Sequence, residues 1–102
     1  MNYVSMIGTM EDYPVSFENQ GKPQSRCRIV ISHQLMESNG KVRIQKEKHD
    51  VLAWGKWNRV LSEYGSPNLK IALEGRLVNR YIRLQSRPIK ITEIEINDLV
   101  IL

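Results

Sequence analysis

Cysteine is nearly absent from this chain: Cys27 stands alone among 102 residues. An internal disulfide is therefore impossible, and no cysteine and histidine set at zinc spacing accompanies it. Its setting in "RCRIVI" fits a buried thiol packed as a small hydrophobe. Aromatic residues are scarce as well, at 7%. No apolar run approaches the roughly 20 residues that a bilayer-crossing helix needs. The opening "MNYVSMIGTMEDY" has no basic start, no long apolar middle and no small-residue cleavage site. We therefore expect no signal peptide, no membrane association and a cytoplasmic location. Enzyme constellations are missing too. There is no Ser/His/Asp arrangement, no phosphate-cradling glycine loop and no acidic pair in two distinct environments. Neither a catalytic residue, a metal nor a cofactor is expected. Repeats, low-complexity tracts and linkers are also lacking, and the length fits one domain over residues 1–102.

What is present is positive charge with a pattern. The net charge is +4. Residues 76–90 hold Arg76, Arg80, Arg83, Arg87 and Lys90 with no acid among them. Residues 41–59 hold Lys41, Arg43, Lys46, Lys48, Lys56 and Arg59 against Glu47 and Asp50. Acids gather toward the ends, as Glu11, Asp12 and Glu18, then Glu93, Glu95 and Asp98. A basic middle between acidic ends is an electrostatic footprint for a polyanion, with a solvated charged surface as the alternative on charge alone.

The periodicity is mostly that of strands. "NYVSMIGTM" reads as a first strand with Gly8 as a bulge or bend. Pro14 and "NQGKP" at 19–23 break or turn the chain. "QSRCRIVISHQLM" alternates, with Cys27, Ile29 and Ile31 facing one way and Arg26, Arg28, Ser32 and Gln34 the other. "SNG" at 38–40 marks a hairpin into the long strand "KVRIQKEKHDVLAWG". In "KWNRVLSEYG" the period changes. Trp57, Val60, Leu61 and Tyr64 form the stripe of an amphipathic helix, ended by Gly65 and Pro67. "NLKIALEGRLVNRYIRL" is a fourth strand with Ile71, Leu73 and Leu77 inward and Gly75 as a bend. "SRP" turns the chain into "IKITEIEINDLVIL", whose apolar parity slips at Thr92–Glu93 as a bulge would make it. Long bent strands close more readily than they lie flat with exposed edges. The expected fold is all-β: a five-stranded OB-fold barrel with one short helix between the third and fourth strands.

Four ordered segments carry a family resemblance. They are "NYVSMIGTM", "KHDVLAWGKWNRVLSEYG", "LKIALEGRL" and "ITEIEI". Across nearly its whole length the chain resembles the bacterial single-stranded DNA-binding protein family. A tail-less chain of this size is similar also to primosomal replication protein N, which has the same barrel. The resemblance implies sequence-tolerant binding of single-stranded DNA in replication, recombination or repair, and a homo-oligomer, either tetramer or dimer. An accessory OB protein of the primosome type, acting mainly through protein contacts, is the alternative. The family continues into a flexible tail with an acidic tip. This chain stops at "NDLVIL", so tail-mediated recruitment of other proteins is not expected.

Carried over by residue, the resemblance is partial. Trp54 stands where the family has an exposed aromatic before the glycine. Lys48, on the same face, stands where many members have tryptophan. Leu35 and Ile82 also occupy positions that are often aromatic, and Tyr81 sits one residue from its expected place. Trp54 is a base platform or a subunit contact, and the bracketing Lys48 and Lys56 favour the platform. With few stackers, binding leans on charge: Lys46, Lys48, Lys56, Arg28, Arg76, Arg80, Arg83 and Arg87 are the expected phosphate contacts. His49 points away from Trp54, and the resemblance implies a place at the subunit interface. Trp57 and Tyr64, on the helical stripe, are expected in the core.

Overall fold

The computed structural model describes residues 2–102. In chain order the strands are β1 (Val4–Met10), β2 (Val15–Asn19), β3 (Lys22–Met36), β4 (Val42–Trp54), β5 (Lys70–Leu84) and β6 (Arg87–Ile101), with helix α1 (Lys56–Tyr64) between β4 and β5. The sheet runs β1-β5-β6-β4-β3, and β3 returns to β1 at Thr9↔Val30 and Met10↔Ile29. Five strands thus close a barrel, as expected for an OB-fold. Its one parallel contact joins β4 to β6 at Val51↔Ile94 and Leu52↔Glu95.

Inward alternation fills the barrel. Ile29, Val51, Ala53 and Ile71 are fully buried, and Leu73, Ile94 and Ile96 nearly so. Leu61 plugs one end from α1, beside the buried Met10. Cys27 lies in this core, and burial pushes its thiol up to about 12. It packs as a hydrophobe and is not a nucleophile at neutral pH.

Several local expectations need correction. The 14–23 stretch is not only a break: it contains β2, which pairs with β3 outside the ring. The turn is two residues, Gln20 and Gly21, both at positive φ, as hairpin twist favours. Gly8 makes no bulge. It pairs regularly with Ile71, and a side chain there would meet Ile29 Cγ2 at 2.6 Å where β3 crosses closely. The β6 irregularity lies not at Thr92–Glu93 but opposite Glu74 and Gly75, where the register skips Asn97. Ile91 and Glu93 belong to the outer face, so their parity never slips. Leu77 is exposed although its partner Ile94 is buried: β1 begins at Val4, opposite Gly75, so among the described residues no strand flanks β5 on its other side there. Tyr64 ends its helix exposed, while Trp57 is half-buried against the core and donates Nε1–H to the Asn97 carbonyl at 3.1 Å.

Candidate nucleic-acid interface

Residues opposite one another across antiparallel strands share a sheet face. The β3–β4 register pairs Gln24 with Trp54, Arg26 with Leu52, Arg28 with Asp50, Val30 with Lys48 and Ser32 with Lys46. The β5–β6 register pairs Arg76 with Glu95, Val78 with Glu93 and Arg80 with Ile91. The parallel step Leu52↔Glu95 joins these rows into one outward face. Most of the expected contacts therefore converge on one surface: Trp54, Lys48, Lys46, Arg28, Arg76 and Arg80.

Trp54 closes β4 and is 50% exposed, a half-open ring backed by the barrel. Beside it runs a groove of about 380 Å³ along Gln24, Leu52, Arg76 and the β2–β3 turn. Further along the same face lies a cavity of about 460 Å³. Tyr13, Val15 and Ile91 wall it, and three arginines, Arg26, Arg28 and Arg80, line it together with Cys27 and the acids Glu11, Asp12, Asp50 and Glu93.

The cations of this face are not bare. Lys48 Nζ reaches Glu11 Oε1 at 2.6 Å, and Arg28 Nε reaches Asp50 Oδ1 at 3.1 Å. Arg76 meets Glu95 at 3.5 Å. Glu93 is buried and accepts from two arginines, Arg26 Nε at 2.8 Å and Arg80 Nε at 2.9 Å. Among the described residues, Lys46, Lys56, Arg83 and Arg87 have no ion pair. Lys56 instead stands over the Trp57 ring, 4.7 Å from its centroid.

The β5–β6 arm divides the remaining candidates. Arg87 pairs with Leu84 and shares the face of Arg80, whereas Tyr81 and Arg83, opposite Lys90 and Pro88, lie on the reverse side. Ile82 takes the place on the Arg80 face, so the structure does not bring Tyr81 beside Trp54. His49 lies on the inward parity of β4 with Glu47. Glu47 Oε2 sits 2.5 Å from His33 Nε2, and Glu47 Oε1 sits 3.3 Å from His49 Nε2. The His33 hydrogen bond, with His49 adding to it, holds the Glu47 carboxyl below its usual range. No metal-holding group of His, Cys, Asp and Glu occurs among the described residues.

Arg26, Glu93, Glu11 and Tyr13 escaped the sequence reading. Arg26 was visible on the outward parity of β3. Glu93, between Thr92 and Ile94 in "ITEIEI", was the one further signal, because a carboxylate in a strand that also carries core isoleucines needs a cationic partner if it is buried.

A family model described as "Single-strand binding protein family" matches residues 1–102. Single-stranded DNA-binding protein 1 of Chlorobaculum tepidum is 28% identical over 81 residues, 78% of this chain and 50% of that protein. The chain thus spans about half the length of the curated relative it matches. Among solved structures, the Plasmodium falciparum SSB in complex with ssDNA superposes with a TM-score of 0.83 at 20% identity, covering 100% of this chain and 95% of that one. A small single-stranded DNA-binding protein from Streptomyces coelicolor gives 0.76 at 14% identity, covering 97% and 92%. A deletion mutant of the Thermus aquaticus single-stranded DNA binding protein gives 0.82 at 18% identity, covering 100% and 50%. These likenesses agree with the barrel traced above.

Proposed function

The chain belongs to the single-strand binding protein family, and on that premise we propose that it binds single-stranded DNA without sequence preference, as a homo-oligomer in the cytoplasm. It acts by binding alone and keeps strands unpaired and shielded during replication, recombination or repair. The observation that carries this reading is the outward face itself. One half-exposed tryptophan stands in register with a row of lysines and arginines along a groove. Every base has a π-face, so a ring such as Trp54 accepts any sequence. Phosphates compete for Lys48 and Arg28, whose carboxylate partners are solvent-screened, and for Arg76, whose contact with Glu95 is long at 3.5 Å. Lys46, Lys56 and Arg87 add charge, and Arg83 and Tyr81 serve a strand that wraps round the arm. His49, half-exposed beside Glu47, is placed at the subunit contact.

Titration with oligo-dT, followed by tryptophan fluorescence at low and high salt, tests the reading. Quenching that salt reverses is the expected result, and Trp54→Ala should weaken binding by about 1–3 kcal/mol. Unchanged binding with a smaller assembled mass would make Trp54 a subunit contact. Internal pairing of Lys48 and Arg28 favours the second reading, an accessory barrel working mainly through protein contacts. Absence of any oligo-dT binding by the wild type would establish that reading instead.

A further inference from the structure

Glu93 is an acid buried to 2% exposure in a cavity where Arg26, Arg28 and Arg80 stand among Glu11, Asp12 and Asp50, so how the arginines are held decides whether they can meet an anion. An isolated buried carboxylate is costly, and this one is satisfied by arginines on both oxygens. Arg26 approaches Oε2 from β3, and Arg80 approaches Oε1 from β5. Each engages through Nε, at 2.8 and 2.9 Å. An arginine carries five donors in a fixed fork, so a guanidinium held at its Nε edge still has Nη donors to offer. Both side chains line the 460 Å³ cavity and remain about one third exposed, at 34% and 39%. Arg26 is fixed a second time: its guanidinium carbon lies 4.1 Å from the Phe17 ring centroid. Phe17 comes from β2, the strand outside the ring, so β2 serves this site.

We propose that Glu93 is a positioning residue: it clasps Arg26 and Arg80 by their Nε edges so that their Nη ends together seat a backbone phosphate of the bound strand. The proposal rests on the single-strand-binding reading and adds Arg26 to its contacts. Glu93 does not touch the strand. It replaces the rotamer freedom of two long side chains with one fixed pair of forks.

Charge alone and positioning predict opposite results. Glu93→Gln removes a negative charge, and a purely electrostatic face would then bind oligo-dT more tightly. Positioning predicts weaker binding, by about ten-fold, the scale of one hydrogen bond to a charged group. Arg80→Lys keeps the charge and the ion pair with Glu93. Lysine's three donors, however, sit on one compact nitrogen, so an ammonium drawn to Glu93 lacks the second, outward edge that the guanidinium fork offers the phosphate. Arg80→Lys should therefore lose nearly as much affinity as Arg80→Ala. A double-mutant cycle completes the test: Arg80→Ala should cost much less in the Glu93→Gln background than in the wild type. Full affinity in Arg80→Lys, tighter binding by Glu93→Gln, or additive losses in the cycle would each overturn the proposal. Should Glu93→Gln fail to fold, as a thermal melt would reveal, Arg80→Lys decides alone. A wild type that does not bind oligo-dT would instead remove the single-strand-binding reading itself.

Discussion

Lys48 reaches back to Glu11 across the closure of the barrel, and this one contact changes what the lysine can do. Its parity with Trp54 was legible in "KHDVLAW". Its partner, 37 positions away, was not, because only the return of β3 to β1 brings Glu11 alongside. Glu11 also lies 3.8 Å from Arg28 Nη1, so a single exposed carboxylate holds two of the expected phosphate contacts. A phosphate must displace it. Glu11→Gln should therefore tighten oligo-dT binding several-fold at low salt, with the gain shrinking as salt screens the exposed charges. Equal affinity in variant and wild type at low salt would mean that Lys48 and Arg28 do not meet the strand. Tyr81 teaches the converse lesson. Its nearness to an expected aromatic position was plain in the sequence, but a one-residue offset in a strand is a change of face.

At the scale of elements, periodicity read the five ring strands and the helix well, because each has one face in the core. It read badly wherever a strand leaves that core. β2 pairs only with β3 and stays largely exposed, and the alternation of "VSFEN" is too short, between Pro14 and "NQGKP", to stand out from a turn. Beyond Gly75 β5 has lost β1 as a neighbour, so Leu77 keeps the inward parity without the burial. The β6 irregularity was misplaced for a different reason. The skip at Asn97 is made visible not by β6 but by Gly75 on its partner, where a Cβ would collide with the Glu95 carbonyl oxygen. Backbone cannot yield as a flexible side chain does. Gly75→Ala should therefore destabilise the fold by about 1–3 kcal/mol, as overpacking typically does. Chemical denaturation should give a lower midpoint at an unchanged slope. A midpoint equal to the wild type would show that β5 and β6 slide apart freely at this point.

The whole molecule has two unlike sides. One is the proposed binding face. On the other, β1 pairs with β5 from Val4 to Thr9 but with β3 only at Thr9 and Met10. Among the described residues, the second edge of Val4–Ile7 has no strand partner. Edge strands are commonly protected by lysine, proline or a bulge, and "VSMIG" has none of these. Next to it, the register aligns Ile7, Ala72 and Val100 across β1, β5 and β6, with Ile7 56% and Val100 53% exposed. An open edge flanked by an apolar row is a template for a second copy of the same chain. Were self-association to occur here, away from Trp54 in sequence register, the proposed binding face of each copy would stay open and one long strand could engage two subunits. Sedimentation of the wild type should give a multiple of 11.9 kDa. Ile7→Lys should move the mass toward a single chain, while Ile7→Val should not. Linking sites through an oligomer raises affinity only for strands long enough to span them. Ile7→Lys should therefore weaken binding of long oligo-dT and leave a short oligonucleotide bound as before. Loss of both would show that Ile7 supports the barrel, and an unchanged mass would place the subunit contact elsewhere, with His49 and its neighbour Glu47 the next positions to substitute.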